Sequence, residues 1–361
     1  MIPLVKVAMP PSEVLMPELQ EVLYSGMIAE GEAVYRFESA FREHYGLQNV
    51  LAMCSGTAAL HAALTLAGVG PGDEVISTPM TAEPTNTSVL YCGASVVWGD
   101  VDPASGNLDP ASVRERITSK TKAILCVHYA GYPVRLAELR EIADEFGIKL
   151  IEDCAHSLGA TYDGAGIGTI GDFAIFSFQA IKHMTTVDGG MLAYRDEAHT
   201  LAAKKFRWFG MLKGVPRTEI DIDSIGYKYN MNNVNATVGL VQLRYIDGVI
   251  GRHIANGQFY DRELAKIGGV GFATCEARAM PSYWLYTLLS DHAADIEKAL
   301  NGAGIMASKL HRPNNLHSIF RSADVDLPGL DCFYERLLHI PCGWWVDDST
   351  RERIVSVIQK G

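Results

Sequence analysis

The chain of 361 residues is 48% apolar and 20% charged, with a mean hydropathy of +0.07. A chain of that size and balance buries a full core, which excludes a disordered, collagen-like or disulfide-stapled protein. Forty-two acidic against 31 basic residues give a net charge of -11, which excludes nucleic-acid binding through a basic stripe.

The start, MIPLVKVAMPPSEVL, has no basic segment followed by a long apolar one, so it does not read as a signal peptide. No stretch approaches the ~18 to 20 continuous apolar residues of a membrane span, and the expected location is the cytoplasm. In chain order, 12–23 and 33–45 read as helices, and 49–53 as a short strand ending at Cys54-Ser55-Gly56-Thr57. The Ala- and Leu-rich 58–68 reads as a helix, and 74–78, 95–101 and 122–128 as strands. A helix over 136–146 precedes strands at 149–152 and 172–177, and Gly189-Gly190 turns the chain back into a further strand. Strands alternating with helices imply βαβ units, a mostly parallel sheet and an α/β fold. A long helix starts near 231, capped by an Asn, and runs through Tyr245 towards Leu264. Beyond 268 the texture changes to short strands, including 283–289, and to helices near 293–303 and 349–359. The expected division is a large domain over 1–245 and a smaller α+β domain over 246–361.

The seven cysteines (Cys54, Cys92, Cys126, Cys154, Cys275, Cys332, Cys342) are scattered singly, without a CxxC pair. They read as free thiols of a reducing compartment, and no metal site is expected.

Three loops follow strands, and in an open α/β sheet that edge is where ligands sit. Ser55-Gly56-Thr57-Ala58 runs into a helix whose first amides, with the Thr57 hydroxyl, suit a phosphate dianion. Alone, that loop also reads as a capped tight turn. Ile151-Glu152-Asp153-Cys154-Ala155-His156 ends an apolar strand in a carboxylate, which is costly without a charged partner. A cationic pyridine nitrogen is one such partner, and His156 lies within reach of the same ligand. Equally, the fragment reads as Asp153 capping the next turn, with His156 a hydrogen-bonded interior residue. In Phe176-Ser177-Phe178-Gln179-Ala180-Ile181-Lys182-His183 a lysine stands among apolar residues. Desolvation depresses its pKa and leaves a nucleophilic amine, although most lysines snorkel to solvent. Together, a phosphate cradle, a strand-end Asp and a desolvated Lys are the parts that pyridoxal 5'-phosphate (PLP) requires.

The segments SGTAALHAAL, PGDEVI, IEDCAHSLGATYDG, GDFAIFSFQAIKHMTTVDGGM and GYKYNMNNVNATVGLVQL resemble the DegT/DnrJ/EryC1/StrS sugar aminotransferases. The similarity runs in register from about residue 8 to 250 and more loosely to the C-terminus. It implies a fold-type I PLP enzyme, with a central seven-stranded-type sheet between helices, that aminates keto sugars carried on nucleotides. Lys182 sits where the family has its Schiff-base lysine, Asp153 matches the pyridinium partner, and His156 matches the residue at the cofactor's 3-hydroxyl. Gly56, Thr57, Ala58 and Ser177 match phosphate contacts. An Asn from the neighbouring subunit completes that pocket in the family. Asn230 matches it, with Lys228 in the other register, which implies a homodimer with shared sites.

The family's ring-stacking aromatic has no counterpart in Pro79-Met80-Thr81-Ala82-Glu83. The resemblance further implies glutamate as amino donor and ping-pong chemistry in which Lys182 moves the proton. Arg207, Lys309, His311 and Arg312 are candidates for holding substrate phosphate or carboxylate, against a reading of each as ordinary surface charge. The alternatives are a transaminase of a non-nucleotide keto sugar or small phosphorylated ketone, a sugar dehydratase, and a regulator without catalysis. The dehydratase branch replaces the lysine with His, and a regulator would have lost the lysine or gained a DNA-binding segment. Amino transfer leads.

Overall fold

The structure, a computed structural model, describes residues 1–320 and 325–360. A seven-stranded sheet forms its centre, built from β1 (Asn49–Met53), β2 (Glu74–Ser77), β3 (Ser95–Trp98), β4 (Thr121–Val127), β5 (Lys149–Asp153), β6 (Phe173–Ser177) and β7 (Gly190–Tyr194). The spatial order is β1-β7-β6-β5-β4-β2-β3. Only β7 runs against its neighbours, pairing antiparallel with both β1 and β6, while β6, β5, β4, β2 and β3 pair parallel in turn.

A parallel sheet needs cover on both faces, so its strands are apolar throughout rather than alternating. Neighbouring residues here feed two separate cores. Leu51, Leu125, Ile151 and Ile175 pack with the helix Gly56–Leu66 on one side. Ala52, Ile124, Leu150 and Phe176 pack on the other with the helices Glu32–Tyr45 and Leu136–Phe146. The first core continues into a three-stranded antiparallel sheet of Gly271–Phe272, Tyr286–Leu289 and Leu337–Ile340. The N-terminus joins this C-terminal part: the Ile2 amide donates to Gly304 O at 2.8 Å and Ile2 O accepts from the Met306 amide at 2.9 Å.

Two local departures from the sequence reading have physical causes. The 231–264 region is two helices, Asn233–Leu243 and Ile246–Leu264. Asn232 caps the first, its side chain accepting from the Asn235 amide, and Tyr245 (φ -122°) leaves helical geometry between them. The unforeseen helix Glu83–Tyr91 is rich in Thr, Asn and Ser, which are weak helix formers. Pro84 in its first turn and packing against Gly56–Leu66 supply what propensity does not.

Candidate active site

The three strand-end loops meet at the C-terminal edge of β1, β5 and β6 around a cavity of about 310 Å³. Its wall includes Gly56, Thr57, Asp153, His156, Ser177 and Lys182. At the cradle, Ser55 caps the helix Gly56–Leu66 by accepting the Ala58 amide on Oγ at 3.0 Å. That bond corrects one expectation: the Ala58 N–H is already engaged, and Ala58 does not line the cavity. The amides of Gly56 and Thr57 have no acceptor among the described residues, as expected of the first helical positions. Backbone approach is tight here. A Cβ on Gly56 would stand 2.9 Å from Ser177 Cβ, and one on Gly190 would stand 2.4 Å from Ser55 O.

Asp153 ends β5 at 3% exposure. Its Oδ2 accepts from Thr85 Oγ1 at 2.8 Å and its Oδ1 from the Ala155 amide at 3.0 Å. Thr85 Oγ1 lies in turn 2.9 Å from Thr81 Oγ1. Burial raises the carboxyl pKa, and those bonds with the Lys182 charge offset only part of the rise. Burial brings the Lys182 amine down to about 8, opposed by the Asp153 charge. The amine lies 4.0 Å from the centroid of the Trp284 ring.

His156, at 1% exposure, stacks on that same Trp284 at 4.1 Å and 21°. Neither of its ring nitrogens has a hydrogen-bond partner among the described residues. Burial, then the Lys182 charge, holds its pKa well below the usual histidine value, so the ring is neutral. His311 lies parallel to His156 at 5.6 Å and 7° and also lines the cavity. Its Nε2 is buried without a partner among the described residues, and burial brings its pKa to about 4.

Of the four substrate candidates, His311 alone reaches this wall. Arg207 is a correction. It is 3% exposed and bonded to Glu38 at 2.7 Å, Glu30 at 2.9 Å and Ala52 O at 2.8 Å, so its donors face other parts of the chain. Lys309 is directed instead to the carbonyls of Tyr334 and Glu335, with its amine over the Tyr334 ring. Arg312 is exposed and off the wall. Asn230 lies outside this chain's cavity, its Oδ1 accepting from Lys228 Nζ at 2.5 Å.

Sequence reasoning passed over Trp284 and Thr85. Nothing in YWLYTLL distinguishes a cavity-facing Trp from a core one, and Thr85 sits in the helix that propensity hid. The buried group His128, Glu152 and Cys154 has ligand-like spacing, yet it is not built for a cation. Both Glu152 oxygens accept backbone amides, from Gly168, Ile170 and Gly171, and His128 Nε2 adds a fourth bond at 3.1 Å.

A helix N-terminus with free amides, a buried carboxylate, an imidazole with two open nitrogens and an amine of pKa about 8 match a phosphorylated aldehyde with a basic ring nitrogen. The residues present fit PLP, and the fold and site define a PLP-dependent enzyme of the α/β class. Residues 12–359 match the model of the DegT/DnrJ/EryC1/StrS aminotransferase family, and the chain belongs to that family. GDP-perosamine synthase of Caulobacter vibrioides is 34% identical over 292 residues, 79% of this chain and 78% of that protein. The solved sugar aminotransferase CalS13 of Micromonospora echinospora is 37% identical, with a TM-score of 0.96 over 100% of both chains. Spr1654 of Streptococcus pneumoniae, solved in PLP and PMP forms, is 25% identical in each, with TM-scores of 0.90 and 0.91 over 98% of its own chain and 99% and 100% of this one. The protein is an aminotransferase with PLP as its cofactor.

Proposed function

We propose that the enzyme moves an amino group from glutamate to the carbonyl of a nucleotide-linked 3-keto- or 4-keto-deoxysugar, in polysaccharide or secondary-metabolite biosynthesis. The observation that carries the reading is the meeting of Lys182, Asp153, His156 and the Gly56-Thr57 cradle on one wall. When bound, the cofactor supplies a carbon that exchanges amines and a ring that takes up the electron pair freed at the substrate carbon.

The chain's own residues do the rest. Free amides of Gly56 and Thr57, with the Thr57 and Ser177 hydroxyls, bind the phosphate and fix its position. Asp153, oriented by Thr85 and Ala155, holds a proton on the ring nitrogen. His156 offers a ring nitrogen to the 3-hydroxyl. Lys182 would hold the cofactor covalently and, once displaced by the amino donor, its free amine would take the proton from the substrate carbon and give it back across the intervening nitrogen. An amine of pKa about 8 suits both directions near neutral pH. His311 lines the same cavity, parallel to His156.

The reading includes a homodimer in which Asn230 of each subunit completes its neighbour's phosphate site. Exposed apolar side chains support it: Tyr24 is 86% exposed, Met27 64%, Val187 62% and Ile28 52%. Asn233 ties this rim to the helix behind it, accepting the Val34 amide and donating to Met27 O.

The test is a glutamate titration of the holoenzyme followed by absorbance, then addition of keto-sugar nucleotides with mass detection of the amino sugar. Glutamate should convert the yellow PLP form to the colourless PMP form in wild type, and Lys182→Ala should not hold the cofactor covalently. An unchanged spectrum with glutamate refutes the donor, and a covalent cofactor in Lys182→Ala refutes the assignment of the lysine.

A further inference from the structure

We propose that Trp284 is the resting platform of the Lys182 amine whenever that amine is free, making it a positioning residue for the proton transfers of the reaction. The inference rests on the reading of Lys182 as the covalent lysine.

Lys182 Nζ makes no hydrogen bond or ion pair among the described residues; it lies over the indole at 4.0 Å from the centroid. The indole is tied to the loop that carries the lysine, since Trp284 Nε1 donates to Ile181 O at 2.8 Å. The indole is therefore held beside the stretch of backbone that carries the lysine. Trp284 is only 2% exposed and is fixed from behind by a strained turn. Tyr283 has φ 48°, a left-handed conformation that a bulky residue adopts only when its surroundings impose it. The surroundings do so here. The Ser282 amide donates to Gly131 O and the Leu285 amide to Ala130 O. Tyr283 O accepts from His253 Nδ1 at 2.9 Å, and the Tyr283 hydroxyl donates to Asp261 at 2.6 Å. Gly257 leaves room for the ring, because a Cβ there would meet it at 2.4 Å.

The chemistry explains why a π face is suited to this place. A freed lysine must stay close, accept a proton and give it back. A carboxylate partner would hold the ammonium and resist its deprotonation. A purely aliphatic wall would drive the charge out. An indole face attracts the ammonium through its quadrupole while competing for none of its protons. The other titratable groups facing the amine are Asp153, which favours its charge, and His156, His183 and His311, all held neutral by burial.

The test uses the PMP form of the holoenzyme, in which Lys182 is free. Its amine pKa is read from the pH dependence of carbamylation by cyanate, quantified by mass spectrometry on the Lys182 peptide. Trp284→Phe keeps a ring face and Trp284→Leu removes it. The expected order is wild type, then Phe, then Leu, with Leu about one unit below wild type. As a second measurement that preserves shape, tryptophan is replaced throughout by mono- and difluorotryptophan, which weaken the face in steps. A Lys182 pKa that falls with fluorination supports the platform; a flat series, or Leu equal to or above Phe, overturns it. Failure of the platform and failure of the lysine assignment stay distinct, because only the latter predicts a covalent cofactor in Lys182→Ala.

Discussion

Arg207 separates a structural reading from a substrate-binding one most sharply. Its guanidinium is buried against Glu30 and Glu38 and also donates to Ala52 O. In Arg207→Met both carboxylates lose their shared cation inside the protein. Removing one partner of a buried ion pair costs about 3–5 kcal/mol. Here the lower end applies, because Lys213 still stands 3.0 Å from Glu30 and the Ala52 amide still donates to Glu38 at 2.8 Å. Unfolding entropy of about 2.1 cal/mol/K per residue gives about 0.76 kcal/mol/K for 361 residues. A loss of about 3 kcal/mol is then a fall in Tm of about 4 °C. Thermal unfolding of the holoenzyme, with KM for glutamate and for the acceptor measured below the transition, reads both roles. A Tm within 1 °C of wild type, together with a KM raised tenfold or more, would refute the structural account.

On the proposed role, Asp153→Asn should keep its shape but lose the charge that would hold the ring nitrogen protonated. Single-turnover kinetics with glutamate should slow by about two decades, equivalent to about 3 kcal/mol, and a rate within fivefold of wild type would contradict the assigned role. Gly56→Ala puts a Cβ 2.9 Å from Ser177 Cβ, so cofactor titration should give a Kd raised roughly tenfold; an unchanged Kd would contradict the tight approach at the cradle. Glu152 is a pH-dependent anchor: burial pushes its pKa up, but His128 and the backbone amides outweigh that and hold it below the ordinary value. Its folded pKa being depressed, its stabilisation is present above the unfolded carboxyl's ~4.3 and is lost as pH falls through the lower folded value. Urea unfolding should therefore show Glu152→Gln clearly destabilised at pH 7, with the gap narrowing at acid pH; a gap that widens on acidification would contradict the sign.

What was legible in the sequence lies at strand ends. Thr57, Asp153, Ser177 and Lys182 each follow an apolar β-rich run, and the parallel topology carries those run ends to one edge of the sheet. What was not legible depends on contacts far along the chain. Arg207 shows a positive charge in the sequence, but its neutralising partners lie 169 and 177 residues away. The indole of Trp284 bonds a carbonyl 103 residues upstream, and its place within an apolar strand pattern conceals that. Thr85 is hidden for another reason: a helix that forms against its own propensity presents it to Asp153. Local pattern reports chain direction and burial, whereas pairing across the fold decides which polar group does chemistry.

The charge arrangement of the cavity follows from the same economy. The phosphate cradle consists of neutral amides and hydroxyls, with no Arg on the wall among the described residues. An arginine there would bind phosphate more strongly, but as a neighbouring cation it would push the Lys182 pKa below about 8. In the proposed binding mode, helix dipole and backbone N–H groups hold the dianion without adding a full charge near the amine. His156 and His311 are neutral by burial, with the Lys182 charge acting in the same direction. Among the described residues Lys182 therefore stands as the one cationic side chain of this wall, its ionisation set by burial on one side and by Asp153 on the other. That balance keeps the amine poised to give and take a proton near neutral pH, in a protein whose overall charge is -11.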